Sequence, residues 1–154
     1  MSFIHLALIV GVAIAQADEG RPPPVKISVV VVHATKEGGA KQFDPSLEKV
    51  RSALADLEFD RFEEIRSVKM TAPFHEETVF DLTSGYKLCV SPQSRESRDK
   101  VRINLKVQMD PNEPGGPSVN ALSTTIAICP GKLFVLRGMT VARGELVVVI
   151  SVEK

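Results

Sequence analysis

Two runs of β-branched residues constrain this chain more than anything else in it. Val25-Lys26-Ile27-Ser28-Val29-Val30-Val31-Val32-His33 and Leu146-Val147-Val148-Val149-Ile150-Ser151-Val152 carry apolar side chains at consecutive positions. Successive side chains of a strand point to opposite faces. A strand that is apolar on both faces must be covered on both, which makes these two central strands. Dense valine also disfavours helix, because its χ1 is restricted against the preceding turn. Two such strands in one small domain belong in the middle of the sheet, and they are predicted to be neighbours.

Between them the period changes once. Asp44-Pro45 reads as a helix start, with Asp as N-cap and Pro where its missing N–H costs nothing. Leu47, Val50, Leu54 and Leu57 recur at helical spacing and form one apolar stripe. An amphipathic helix is therefore predicted over 44–58. After Glu58 the period returns to two. Phe59 to Met70 alternates imperfectly, with a bulge or turn expected near Glu63-Glu64. Thr78 to Leu82 and Tyr86 to Val90 flank Thr83-Ser84-Gly85, a hairpin loop. Lys100 to Met109 alternates without error and must be half buried. Asp110 to Asn120, with three prolines and Gly115-Gly116, is the longest loop. Leu122, Thr124, Ile126 and Ile128 mark the next strand, Pro130-Gly131 a turn, and Leu133 to Arg137 a short strand. Gly138 and Gly144 bracket a further turn.

The order is strand, helix, then seven strands. Short consecutive strands with tight turns pair antiparallel. The expected fold is α+β: a mostly antiparallel sheet, or curled half-barrel, of about eight strands with the helix on one face. The first strand, the helix and the second strand are compatible with a right-handed crossover.

Phe3 to Ala15 is apolar apart from His5 and is too short for a membrane span, which takes roughly 20 residues. It ends in Ala15-Gln16-Ala17, the small-x-small pattern of a signal-peptide cleavage site. Residues 1–17 are therefore expected to direct export. Residues 18–24, with Pro22-Pro23-Pro24, are expected to be an extended tether, and 25–154 a single domain. The expected location is periplasmic or extracellular. The run 146–152 is far too short to span a bilayer, so no span is expected in the mature chain.

The 19 Lys and Arg residues balance 19 Asp and Glu, which argues against a general polyanion binder such as a nucleic-acid-binding protein. Trp is absent and aromatics make up 5% of the chain, too few for a stacking platform.

The sites that remain are weak. In an oxidising compartment, Cys89 and Cys129 each fall on the less apolar side of a strand. A disulfide between them across neighbouring strands is feasible if the Cα separation permits, and the alternative is two separate small buried residues. His75-Glu76-Glu77 lacks the second His of a zinc helix and reads as a charged loop. His33 reads as the edge residue of a buried strand. Ser46-Leu47-Glu48-Lys49 has the Ser-x-x-Lys spacing of serine acyl enzymes, but their other motifs are absent. No catalytic, cofactor or metal residue is expected. Arg95, Arg98, Lys100, Arg102 and Lys106 form a basic stripe suited to an acidic protein partner or an anionic envelope component, or simply to a solvated sheet face.

Signal peptide, proline tether, valine-rich strand, one helix and a β-meander together resemble small exported bacterial proteins of unknown function. The segment Thr125-Ile126-Ala127-Ile128, Pro130-Gly131, Phe134 to Gly138 and Leu146 to Ile150 resembles the closing β-hairpin region of outer-membrane secretins, which implies an envelope setting. The leading expectation is a non-catalytic envelope domain that binds a protein or envelope component. Two alternatives stay open: a small-ligand binder or hydrolase with a cleft between sheet and helix, using His75, Glu76 or Ser46, and a structural subunit assembling by edge strands.

Overall fold

A computed structural model of the chain describes residues 22–111 and 119–154. The expected signal peptide, most of the tether and most of the 110–120 loop lie outside the described residues. Nine strands are present among the described ones: β1 (Val25–Thr35), β2 (Gln42–Phe43), β3 (Arg61–Ala72), β4 (Thr78–Thr83), β5 (Tyr86–Arg95), β6 (Val101–Met109), β7 (Val119–Ile128), β8 (Leu133–Val141) and β9 (Gly144–Val152). They form two open sheets and not the expected single one. The first has the order β2-β3-β1-β9-β8, the second β4-β5-β6-β7.

The two valine-rich strands explain this layout. β1 pairs with β9 antiparallel from Ile27↔Val152 to Ala34↔Glu145, so they are neighbours as predicted. One face of the pair carries Val29, Val31, Val148 and Ile150, which meet Leu88, Val90, Ile103 and Leu105 of the second sheet in the main core. The other face carries Val32, Ala34, Val147 and Val149, which pack against Leu47, Val50 and Leu54. Three layers result, with the first sheet in the middle. β6 is buried at every second residue from Val101 to Val107, as an outer layer requires.

The helix is shorter than predicted. A 3₁₀ segment, Pro45–Val50, leads into one α-helical turn, Arg51–Leu54 (α1). Asp44 caps it as expected, its carboxylate accepting from the Ser46 amide at 3.2 Å. The end comes early because the chain must turn back into β3. The Lys41 ammonium takes the Ala55 and Leu57 carbonyls, satisfying groups that further helix would otherwise have bonded.

β1 and β3 are antiparallel, so the expected crossover is not formed; only the two-residue β2 runs parallel to β3. The β3 bulge lies at Ile65, one residue past the predicted place, where Val31↔Arg66 steps to Val32↔Glu64. Ser84 and Gly85 form a two-residue hairpin loop with φ of +54° and +80°, the geometry that matches strand twist. The turn expected between Gly138 and Gly144 is at Ala142 and Arg143, and Gly138 itself is a bulge inside β8. The Glu145 carboxylate accepts from its amide at 2.7 Å and holds Arg137 at 3.3 Å, so pairing with β9 resumes at Met139.

Candidate functional site

Two open sheets present four edges, and an edge is a row of unpaired amides and carbonyls unless something blunts it. Three of the four are blunted. β2 is two residues long and covers only Arg61 and Phe62, so β3 is the edge from Glu63 to Ala72, where Glu63, Glu64, Arg66, Lys69 and the bulge at Ile65 blunt it. β8 carries Arg137 and the Gly138 bulge. At β4, Arg66 reaches over from the first sheet, its Nη1 donating to the Asp81 carbonyl at 3.0 Å and its guanidinium lying 5.8 Å from the Phe80 ring.

β7 is different. Val-Asn-Ala-Leu-Ser-Thr-Thr-Ile-Ala-Ile has no charged residue, proline or glycine. A bulge at Ala121, between Leu122↔Val107 and Asn120↔Gln108, interrupts its start and leaves Leu122–Ile128 regular. Ile126 and Ile128 anchor this stretch in the core, while Ser123, Thr125 and Ala127 face outward and are exposed. β6 lies on one side, and no strand among the described residues pairs with the other.

The outer face beside this edge is polar and largely self-satisfied. Thr125 Oγ1 donates to Asn104 Oδ1 at 2.6 Å, and Gln108 Nε2 donates to Asn120 Oδ1 at 3.3 Å. The five basic residues predicted as a stripe are divided. Arg102 and Lys106 stand on the outer face of β6, each held by a carboxylate: Arg102 by Glu96 at 2.6 Å, Lys106 by Glu77 at 3.5 Å. Arg95 lies over the Phe74 ring at 5.8 Å. Arg98 is exposed, at φ +61° in the turn before β6, and Lys100 is half-buried. Only Arg95 and Arg98 come together. With Lys154, Asp99 and Glu153 they line a hollow of about 460 Å³ whose wall includes Cys129 and Pro130. The β7 edge therefore runs into a hollow where three cations face two carboxylates.

Of the two readings of the cysteines, the Cys89–Cys129 disulfide is not formed, and both thiols are free. Register is the reason. Cys89 pairs with Lys106 on β6, and Lys106 pairs with Ser123 on β7. Cys129 lies beyond the end of β7, about 20 Å further along at a strand's rise per residue, whereas a disulfide needs Cα atoms within about 7 Å. Cys89 is 2% exposed although it faces outward, because long polar neighbours close over it; its thiol donates to Gln108 Oε1 at 3.7 Å. Burial pushes that thiol up, and the Glu77 carboxylate adds to the effect against Lys106. Cys89 is thereby kept protonated, the opposite of an activated nucleophile.

Core side chains fill the space between the first sheet and α1 among the described residues, where the ligand-binding alternative places its cleft. Ser46 is exposed at the helix start, apart from His75 and Glu76. Those two line a separate hollow of about 370 Å³ with Pro22, Pro24, Pro73 and Phe74. The free edge was not foreseen. Its signal, a charge-free strand from Val119 to Ile128, is readable, but whether a strand is an edge depends on sheet order. No protein-family model, no curated protein and no solved structure matches this chain.

Proposed function

We propose that this chain is an exported recognition domain that binds an extended segment of a partner protein along the free edge of β7. In this reading residues 1–17 direct export, 18–24 act as a tether and 25–154 do the binding. The observation that supports it is the uncharged edge Leu122–Ile128, left open where the other three edges are blunted. Addition of a strand to such an edge is a recurring mode of peptide recognition.

Magnitudes say what else the partner must bring. Strand pairing makes about one backbone hydrogen bond per residue, each worth about 1 kcal/mol net. Ordering a flexible segment costs about 1–2 kcal/mol per residue. The two nearly cancel, so affinity rests on side chains at the ends. The hollow at Arg95 and Arg98 supplies that anchor, and the partner segment carries a carboxylate where it passes Cys129 and Pro130.

The test is a photo-reactive side chain at Ser123 or Ala127 in the full chain, expressed in its own host, with exposed Lys49 of the 3₁₀ segment as control. Crosslinks from both β7 positions to neighbouring residues of one acidic segment of another protein, lost on Thr125→Lys, are expected. Crosslinks to the β7 of a second copy would instead favour the structural-subunit reading. Equal labelling from Lys49 would remove the edge from consideration.

A further inference from the structure

The first sheet extends past the second at one end, and the space it leaves is built. The hollow there has a volume of about 550 Å³, within the range of small-molecule sites, and none of its lining residues comes from the second sheet. It lies at the opposite end of β8 from the Arg95–Arg98 hollow, about 30 Å away along the strand.

Three clamps hold its rim. His33 Nε2 lies 2.6 Å from the Arg143 carbonyl; a carbonyl only accepts, so Nε2 is the donor. Gly144 follows at φ +113°, packed so close to β1 that a Cβ would run into the Ala34 carbonyl oxygen. The β8–β9 turn is thus seated on the end of β1, and Arg143 is fixed beside His33. On the other side the Asp60 carboxylate accepts from the Glu37 and Gly38 amides at 2.7 and 2.6 Å, which fixes the turn bearing Lys36.

Charge within the hollow is uneven. Arg61 is already committed, to Glu63 at 2.8 Å and Glu37 at 3.3 Å. That uses both carboxylates of the lining. Asp60 lies near enough to Lys36 to feel its charge but is taken up by the two amides, Arg143 makes no ion pair among the described residues, and Phe59 supplies an apolar wall. We infer that this hollow binds a small organic carboxylate, its charge between Lys36 and Arg143 and its apolar body against Phe59. A guanidinium presents a fork that matches two carboxylate oxygens, and a lysine adds a point charge. The inference is independent of the β7 reading, since it uses none of the same residues.

Amide-resolved NMR titration of the full chain with benzoate tests it, with benzamide and inorganic phosphate as controls. Saturable shifts at Thr35, Lys36, Arg143 and Gly144 are expected with benzoate, in the micromolar-to-millimolar range expected of so small a ligand (about 1 mM or below). Benzamide and phosphate are expected to bind at least about ten-fold more weakly. Arg143→Gln and Lys36→Gln are each expected to weaken benzoate about ten-fold, with unchanged shifts elsewhere showing that the fold persists. No saturable shift at these amides overturns the inference. Equal binding of benzamide overturns the role of charge, and equal binding of phosphate overturns the role of the apolar body.

Discussion

Asp44 and Asp60 shape the chain through the backbone amides they accept, not through ion pairs. The Ser46 amide holds the Asp44 carboxyl below its ordinary range, and the Glu37 and Gly38 amides do the same for Asp60. A carboxyl lowered in the folded state contributes stability that is complete above its ordinary value near 3.8 and is lost as pH falls through the folded value. The denaturant midpoint should therefore drop as pH falls below about 4. Asp60→Asn should make that drop shallower, and an unchanged slope would show that the Asp60 turn does not matter to folding. Gly144 is the other decisive residue. Its φ of +113° and its approach to Ala34 leave no place for a side chain. Gly144→Ala should cost about 2 kcal/mol or more in chemical denaturation, and it should weaken any ligand at Arg143 as well. Asp44 was legible in the sequence because a cap bonds amides two residues away. Asp60 was not, because it serves a turn 22 and 23 residues distant; Gly144 could be placed at a turn, but not its approach to the far end of β1.

At the scale of elements, α1 and the 3₁₀ segment before it matter as a lid on the first sheet. Leu47, Val50 and Leu54 cover Val147, Val149 and Val32, and the Phe43 ring stacks on Phe62 at a centroid distance of 4.8 Å beside them. Leu54 is fully buried, so Leu54→Ala should cost about 2–4 kcal/mol, seen as a shift of the unfolding midpoint without loss of the sandwich. Thr125→Lys on β7 is expected to behave oppositely. Its side chain is exposed, so the unfolding midpoint should stay within about 0.5 kcal/mol of the parent while partner capture is lost. The apolar stripe 47, 50, 54 and 57 identified the lid, but periodicity could not tell a 3₁₀ start from an α-helical one. The same limit applies to β7, because alternation reports that one face is buried and is silent about which edge is paired.

The whole molecule is a sandwich with a lid, and its two sheets are joined where the sequence shows only loops. The chain leaves the first sheet after Ala72, passes Pro73 and His75 at φ +62°, and enters the second sheet at Thr78. It returns through Cys129–Lys132, where the Lys132 amide bonds the Cys129 carbonyl at 3.1 Å. Neither passage differs in composition from a hairpin loop, so one sheet was the simpler reading of the strands. β1 and β9 could be placed as neighbours because residues apolar on both faces admit only a central position. The cysteines give the sharpest test of this architecture. A single curled sheet allows Cys89 and Cys129 to approach; the observed register holds them about 20 Å apart along the strand direction. A bridge closing that loop of about 41 residues would be worth roughly 4 kcal/mol. The purified chain should therefore unfold at the same denaturant concentration with and without reductant, and both thiols should react with alkylating agent once it is unfolded. A reductant-dependent loss of the size of that loop-closure effect would mean that β5 and β7 are not in this register. The order β4-β5-β6-β7, and with it the free edge, would then have to be redrawn.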